Sequence, residues 1–225
     1  MAEAMPSEDE LPEALPTQGR VLTKAATVYD WVQPIVTLGQ EARLNRWIAQ
    51  RLNLEGQRHV LDVGCGTGLL TLAIAERYPS SRVVGVDASK AMIGVANRKR
   101  TRTNCSYRQA LAEDLPFGEE TFDVVTSALF FHHVNQDLKL RCLREAWRVL
   151  KPRGMLVVAD MDRPYTLLGW AMSATAWKLF RQPEIKENMD GMMERLIPKA
   201  GFGQAERHAR FSGYISVLSA GKARV

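Results

Sequence analysis

The chain has 225 residues, enough for one domain, and its 46% hydrophobic and 24% charged residues exclude a mostly disordered polymer. No apolar run approaches the roughly 18 residues of a membrane-spanning helix. The formal net charge of +5 is unevenly spread: residues 1–19 hold five acids and no Lys or Arg, leaving thirty bases against twenty acids from residue 20 onward.

Residues 1–19, with three prolines, are expected to be a flexible acidic tail on a single basic domain over 20–225. An uneven solvated surface accounts for the basic excess; phosphate-bearing or anionic-membrane partners are the sharper alternative. The N-terminus lacks a basic stretch followed by an apolar one, so no secretory leader is expected. Cys65, Cys105 and Cys142 are odd in number and without paired spacing. They fit a reducing cytoplasm better than a disulfide framework or a metal site.

In chain order, residues 21–33 and 38–52 read as helices, the second with Leu44, Ile48 and Leu52 on one face. From His59 the rhythm changes to short apolar runs alternating with amphipathic segments. Strands are predicted at His59–Val63, Arg82–Val86, Ser106–Ala110, Phe122–Ser127 and Met155–Ala159, with helices at 69–77, 89–100 and 136–150. Such alternation predicts an α/β fold, a parallel sheet with helices on both faces. Residues 162–198 break the rhythm with a Trp- and Met-rich helical insert. Two further strands, Gln204–Arg210 and Tyr214–Ala220, flank a short Phe211-Ser212-Gly213 link and read as an antiparallel hairpin.

The most informative segment is Val60-Leu61-Asp62-Val63-Gly64-Cys65-Gly66-Thr67-Gly68, where a buried strand runs into three alternate glycines before a helix. Glycines there permit a tight turn and a close ligand approach, and the helix N-terminus offers free N–H groups. Asp87, 19 residues after Gly68 at the end of the second strand, can accept both hydroxyls of a ribose. A dinucleotide fingerprint would need glycine at position 69, which is Leu69. Asp62, two residues before the first glycine, suits a positively charged amino group, which a pyrophosphate ligand lacks.

The glycine loop, Asp87-Ala88-Ser89 with Met92, Ala112-Glu113-Asp114-Leu115-Pro116-Phe117, Phe122-Asp123-Val124-Val125, His132-His133-Val134 and Glu145 through Gly154 occur in an ordered spacing. In these features the chain resembles the class I S-adenosylmethionine-dependent methyltransferases over residues 25–161. Its nearest likeness is to the small-molecule subgroup that includes the ubiquinone and menaquinone methyltransferases. The resemblance implies a Rossmann-like, mostly parallel seven-stranded sheet. It also implies S-adenosylmethionine as cofactor, S-adenosylhomocysteine as product and no metal. Asp62, Gly64, Cys65, Gly66 and Gly68 would surround the methionine portion, and Asp87 would hold the ribose. Ala88, Met92, Ala112 and Glu113 would line the adenine, Ser127 would lie near the sulfonium, and Tyr29 would close over the methionine end. Leu111 stands where the family often has an acid for the adenine amino group, which shifts that role to backbone, Glu113 or Asp114.

His132 and His133 are the candidate general bases, with Tyr165 and Asp160 behind them. Neighbouring histidines after a strand are not expected to point the same way. Ser127-Ala128-Leu129-Phe130 lacks the Asn/Asp-Pro-Pro-aromatic motif of DNA amino-methylases, and no cysteine suits RNA cytosine methylation. Nucleic acid is therefore not the expected partner, and a small organic acceptor is. The apolar insert, with Trp170, Trp177, Met189, Met192 and Met193, tilts the acceptor toward an aromatic, prenylated or lipid-like molecule, as a lid over it; core packing or a dimer contact is the alternative. Two other functions compete, a cofactor-binding regulatory module without turnover and an NAD-dependent oxidoreductase, the latter disfavoured by Leu69.

Overall fold

The computed structural model describes residues 12, 14, 15, 17, 39–180 and 183–222. The proposed helix at 21–33, Tyr29 and most of the acidic tail lie outside the described residues. The elements run α1 (Glu41–Arg51), β1 (His59–Val63), α2 (Leu69–Arg77), β2 (Arg82–Asp87), α3 (Lys90–Lys99), β3 (Cys105–Gln109) and β4 (Phe122–Ala128). A 3-10 turn at Phe131–His133 leads into α4 (Gln136–Val149) and β5 (Leu150–Met161). The insert is three helices, α5 (Leu167–Phe180), α6 (Pro183–Met189) and α7 (Met192–Lys199), before β6 (Glu206–Phe211) and β7 (Ile215–Gly221).

These strands form one seven-stranded sheet in the order β3-β2-β1-β4-β5-β7-β6. The first five are parallel, and β7 lies antiparallel between β5 and β6. The expected architecture is therefore present. Strand order reverses between β1 and β4, and open sheets of this kind bind ligands at that reversal, beyond the strand C-termini.

Side-chain alternation sorts the core onto two faces. Leu61, Val125, Leu156, Val158 and Leu218 join Leu138, Leu143 and Val149 of α4 and Leu196 and Ile197 of α7. Val60, Val124, Val157, Ala159 and Val217 face the other way, onto Leu44 and Ile48 of α1, Leu70 and Ile74 of α2 and Ile185 of α6. Each fully buried Leu or Ile contributes roughly 1.5–3 kcal/mol. Helix starts are set locally: the Ser89 side chain accepts from Met92 N–H at α3, and Asn135 accepts from Leu138 N–H at α4.

Most element ends fall within a few residues of the sequence reading, and two differences carry a structural reason. The fifth strand begins at Leu150, not Met155, because Phe122 pairs with Leu150 before a bulge and Val124 pairs with Met155 after it. Pro152, Arg153 (φ +67°) and Gly154 form that bulge inside the strand. The hairpin turn also tightens: Tyr214 N–H donates to Phe211 O at 3.2 Å, and Ser212 and Gly213 have φ of +52° and +81°. Positive φ at both central residues matches the twist of the flanking strands.

Candidate active site at the strand C-termini

The glycine loop turns tightly because its backbone enters the left-handed region three times, at Gly64 (φ +70°), Gly66 (+52°) and Gly68 (+86°). Two of these glycines are also enclosed. A Cβ on Gly64 would lie 2.5 Å from the Phe130 ring, and one on Gly68 would lie 2.5 Å from Tyr107. Among the described residues, a Cβ on Gly66 would meet nothing within 4 Å, so none of them fills the space in front of the middle of the loop. The loop is anchored by Cys65 N–H donating to Val86 O at 2.9 Å and Gly68 N–H to Cys65 O at 2.9 Å.

Two carboxylates flank this loop. Asp62 is buried, accepting from the hydroxyls of Thr71 at 2.6 Å and Thr126 at 3.0 Å. Burial pushes its pKa up to about 6 against those hydrogen bonds. Asp87 at the end of β2 accepts Ser89 N–H at 2.9 Å on one oxygen and Gly66 N–H at 3.0 Å on the other. Burial likewise raises its pKa, with those two amides opposing the rise. An ionised carboxylate has about four acceptor sites, so Asp87 retains capacity for further donors. A cavity lined by Asn45, Asp62, Gly64, Gly66, Thr67 and Leu129 opens beside the loop.

Along the β2–β3 edge, Met92 and Ala112 are buried, while Ala88 and Glu113 are half-buried. Leu111 bridges to Asp114, whose N–H reaches Leu111 O at 3.4 Å. The N-terminal segment crosses this edge. Leu15 N–H donates to Ala88 O at 3.2 Å, Thr17 Oγ1 to Glu113 Oε1 at 2.5 Å, and Gln109 Nε2 to both Pro12 O and Ala88 O at 2.9 Å. Nothing in the acidic composition of residues 1–19 signals this docking. Cys65 is half-buried in the loop, and burial pushes its thiol pKa well up, which removes nucleophilic character.

At the end of β4, Ser127 is buried and its Oγ has no hydrogen-bond partner among the described residues. The chain then turns past Phe130, which packs on Gly64, into the two histidines. They do not point apart. A 3-10 turn brings the rings to 3.9 Å between centroids, tilted by 45°.

Asp160, at the end of the neighbouring β5, holds this turn. Its Oδ2 accepts Phe131 N–H at 2.6 Å, and its Oδ1 accepts Met161 N–H at 2.7 Å and lies 2.8 Å from His132 Nδ1. Asn188 of α6 adds a longer contact of 3.4 Å to the same oxygen. Burial would raise the Asp160 pKa, but His132 and these donors hold it below the ordinary carboxylate value. Its hydrogen bonding is thus committed to the turn and to His132. Tyr165 serves elsewhere too: its hydroxyl accepts Gly213 N–H at 3.1 Å. Asn188, Thr71 and Thr126 carry no spacing signal that would mark them in sequence. Their places follow only from which helix and strand fall beside Asp160 and Asp62.

The insert packs more deeply than a free lid. Met193 is buried in one core, Met192 packs against it, and Met172, Trp177 and Met189 pack against the other. Lys139 of α4 is fully buried beneath α6, its Nζ 2.9 Å from Glu187 Oε2. Among the described residues no helix is long and apolar enough to cross a membrane.

A family model described as a methyltransferase domain matches residues 60–154. A protein of Synechocystis sp. named as an uncharacterized methyltransferase is 31% identical over 198 residues, covering 85% of this chain and 92% of that one. The demethylmenaquinone methyltransferase of Symbiobacterium thermophilum is 32% identical over 164 residues, 70% of this chain but 64% of its own length. This chain therefore spans slightly under two thirds of that quinone-modifying relative. Among solved structures, the YcgJ protein of Bacillus subtilis superposes with a TM-score of 0.64 at 19% identity, over 81% of this chain and all of that one. Phosphoethanolamine N-methyltransferase 2 of Haemonchus contortus, solved with S-adenosylhomocysteine, gives 0.68 at 18% identity, over 92% of this chain and 59% of that one. At such identities these two likenesses establish the fold alone.

Proposed function

Because this chain belongs to the S-adenosylmethionine-dependent methyltransferases, we propose that its cleft delivers a methyl group to a small, apolar acceptor of aromatic or lipid-like character. The cofactor supplies an electrophilic methyl group on a sulfonium and leaves as S-adenosylhomocysteine. The residues present fit it: no described residue fills the space in front of Gly66, Ser127 Oγ is buried and unpartnered among the described residues, and Asp87 has acceptor capacity to spare.

In this reading Asp62, Gly64, Cys65, Gly66 and Gly68 embrace the methionine portion, with Asp62 balancing its amino group. Asp87 accepts from the ribose hydroxyls. Ala88, Met92, Ala112 and Glu113 flank the adenine, and Ser127 lies under the sulfonium. Thr17, hydrogen-bonded to Glu113, adds the N-terminal segment to the adenine edge.

The observation that carries the acceptor side is the Asp160–His132 pair. A carboxylate can only accept, so the proton between them sits on His132 Nδ1, and neutral His132 keeps its lone pair on Nε2. Asp160 fixes that tautomer and ring orientation, and His132 Nε2 takes the proton the acceptor loses as it is methylated. Positioning and exclusion of water supply the rest, since methyl displacement demands little covalent help. His133, its ring tilted by 45° against that of His132 at 3.9 Å between centroids, supports the ring. The quinone-methyltransferase relatives support an aromatic ring bearing an apolar tail as the acceptor.

Calorimetric titration with S-adenosylhomocysteine, followed by methyl-transfer assays on quinols and phenols, tests this reading. We expect Asp87→Ala to abolish cofactor binding. His132→Gln and Asp160→Asn should bind within about threefold of the wild type while losing roughly 10²–10⁴-fold in kcat. Full turnover by His132→Gln would sink the base assignment. Unimpaired cofactor binding by Asp87→Ala would sink the cofactor assignment.

A further inference from the structure

The described residues expose four large apolar side chains: Tyr165 (38%), Leu167 (91%), Leu168 (61%) and Trp170 (61%). All four fall within six consecutive positions, at the start of α5. Scattered single exposures are ordinary, whereas a contiguous apolar patch marks an interaction surface.

The patch sits on a firm platform. Tyr165 N–H donates to Gly213 O at 2.9 Å, and Gly213 N–H donates back to the Tyr165 hydroxyl at 3.1 Å. Thr166 caps the helix through Gly169 N–H at 2.9 Å. Gly169 lies so close to Gly213 O that a Cβ would collide with it. The β6–β7 turn thus clamps the inner side of α5, and Leu167, Leu168 and Trp170 are turned outward.

Charge says what covers the patch. Residues 163–180 contain two bases, Arg163 and Lys178, and no acid. From β6, the Arg210 guanidinium lies over the Tyr165 ring, 5.0 Å from its centroid. Arg163 is more than half exposed even while it contacts Glu194. A second copy meeting this face about a two-fold axis would set these bases against themselves. An anionic surface would not. Leu side chains entering an apolar layer, Trp and Tyr at its boundary and bases at the headgroups are the pattern of an interfacial helix.

We propose that the Tyr165–Trp170 face of α5 docks the protein on an anionic lipid bilayer. The docking deepens the acceptor reading and borrows its purpose from it: α5 follows directly from the β5 end that carries Asp160, so an acceptor dissolved in the bilayer would enter beside His132.

Sedimentation of the full chain with vesicles tests the docking without any knowledge of the acceptor. Binding to phosphatidylglycerol–phosphatidylcholine vesicles should exceed binding to phosphatidylcholine alone by at least about tenfold and weaken as salt shortens the Debye length. The triple change Leu167→Ser, Leu168→Ser, Trp170→Ser should lower binding by at least roughly 30-fold. The same variant should leave thermal unfolding and S-adenosylhomocysteine titration unchanged. Brominated lipid should quench tryptophan fluorescence in the wild type and much less in Trp170→Phe. Vesicle binding by the triple variant equal to the wild type would overturn the proposal, as would no binding by the wild type. A wild-type dimer that the triple variant dissociates, with vesicles ignored by both, would reassign the face to a second copy. Docking that persists while no quinol or phenol is methylated would remove the acceptor reading and leave the docking standing.

Discussion

The glycine-loop edge follows β1 and the helical insert follows β5, and the two are built on different principles. At the loop, function rests on backbone conformations that few residues can adopt and on carboxylates whose places are fixed by short strands. In the insert, three helices are held by what they happen to pack on. The loop should therefore be brittle to single atoms, and the insert tolerant as long as volume is kept.

Gly64→Ala should have the largest effect. It combines a left-handed backbone with a Cβ 2.5 Å from Phe130, and strain plus overpacking should cost about 3–5 kcal/mol. Denaturant unfolding and S-adenosylhomocysteine titration would read both losses. A Gly64→Ala protein that is stable and binds normally would erase the contrast between the two regions.

The next effect is on pH. Asp62 has a folded pKa of about 6 against an ordinary 3.8, so the folded state holds a proton that the unfolded state has lost. Its stabilising share is complete below 3.8 and disappears as pH rises through 6, a swing of about 3 kcal/mol. Asp160, whose folded pKa is lowered, works in the opposite sense, its share being lost only as pH falls through that lower value. If Asp62 balances the cofactor's amino group, affinity for S-adenosylhomocysteine should climb up to roughly tenfold per unit toward pH 6 and then level off. Titrations at several pH values in two buffers should reveal one proton released on binding at the acid end. A flat affinity profile would free Asp62 from that role.

The smallest effect sharpens the other side. Lys139→Ala should cost about 2–4 kcal/mol by emptying a buried site beneath α6. Lys139→Met should stay within roughly 1 kcal/mol, because the stem is kept and Glu187, being partly exposed, can be rehydrated. Should the Met variant fall as far as the Ala variant, charge rather than volume would be what holds the insert.

The same contrast explains how far the sequence could be read. Strand and helix positions from His59 to Val149 were legible because period-2 and helical apolar patterns alternate cleanly there, and because Ser89, Asn135 and the glycines act locally. The bulge at Pro152–Gly154 was not, since it depends on Phe122 pairing with Leu150 across the sheet. Asp87 was visible from its place at a strand end. The Asp160–His132 pair was only half visible: both residues stood out singly, but their bond joins two neighbouring strand ends 28 positions apart. The even apolarity of α5 concealed which side faces outward. The clamp by Gly213 decides that, and no helical periodicity encodes it.

The placing of β7 has a consequence for how the molecule is made. It pairs with β5 over seven positions and separates β5 from β6. During synthesis β6 and β7 are the last strands to emerge, and β5 waits with an open flank until Ile215–Gly221 follow. The parallel half can assemble as it emerges, whereas the edge bearing Asp160 is sealed last. A ribosome stalled a few codons before Ile215 would thus carry a glycine loop with its neighbours in place and an acceptor side still unfinished, and nascent chains of graded length would show the two appear in that order.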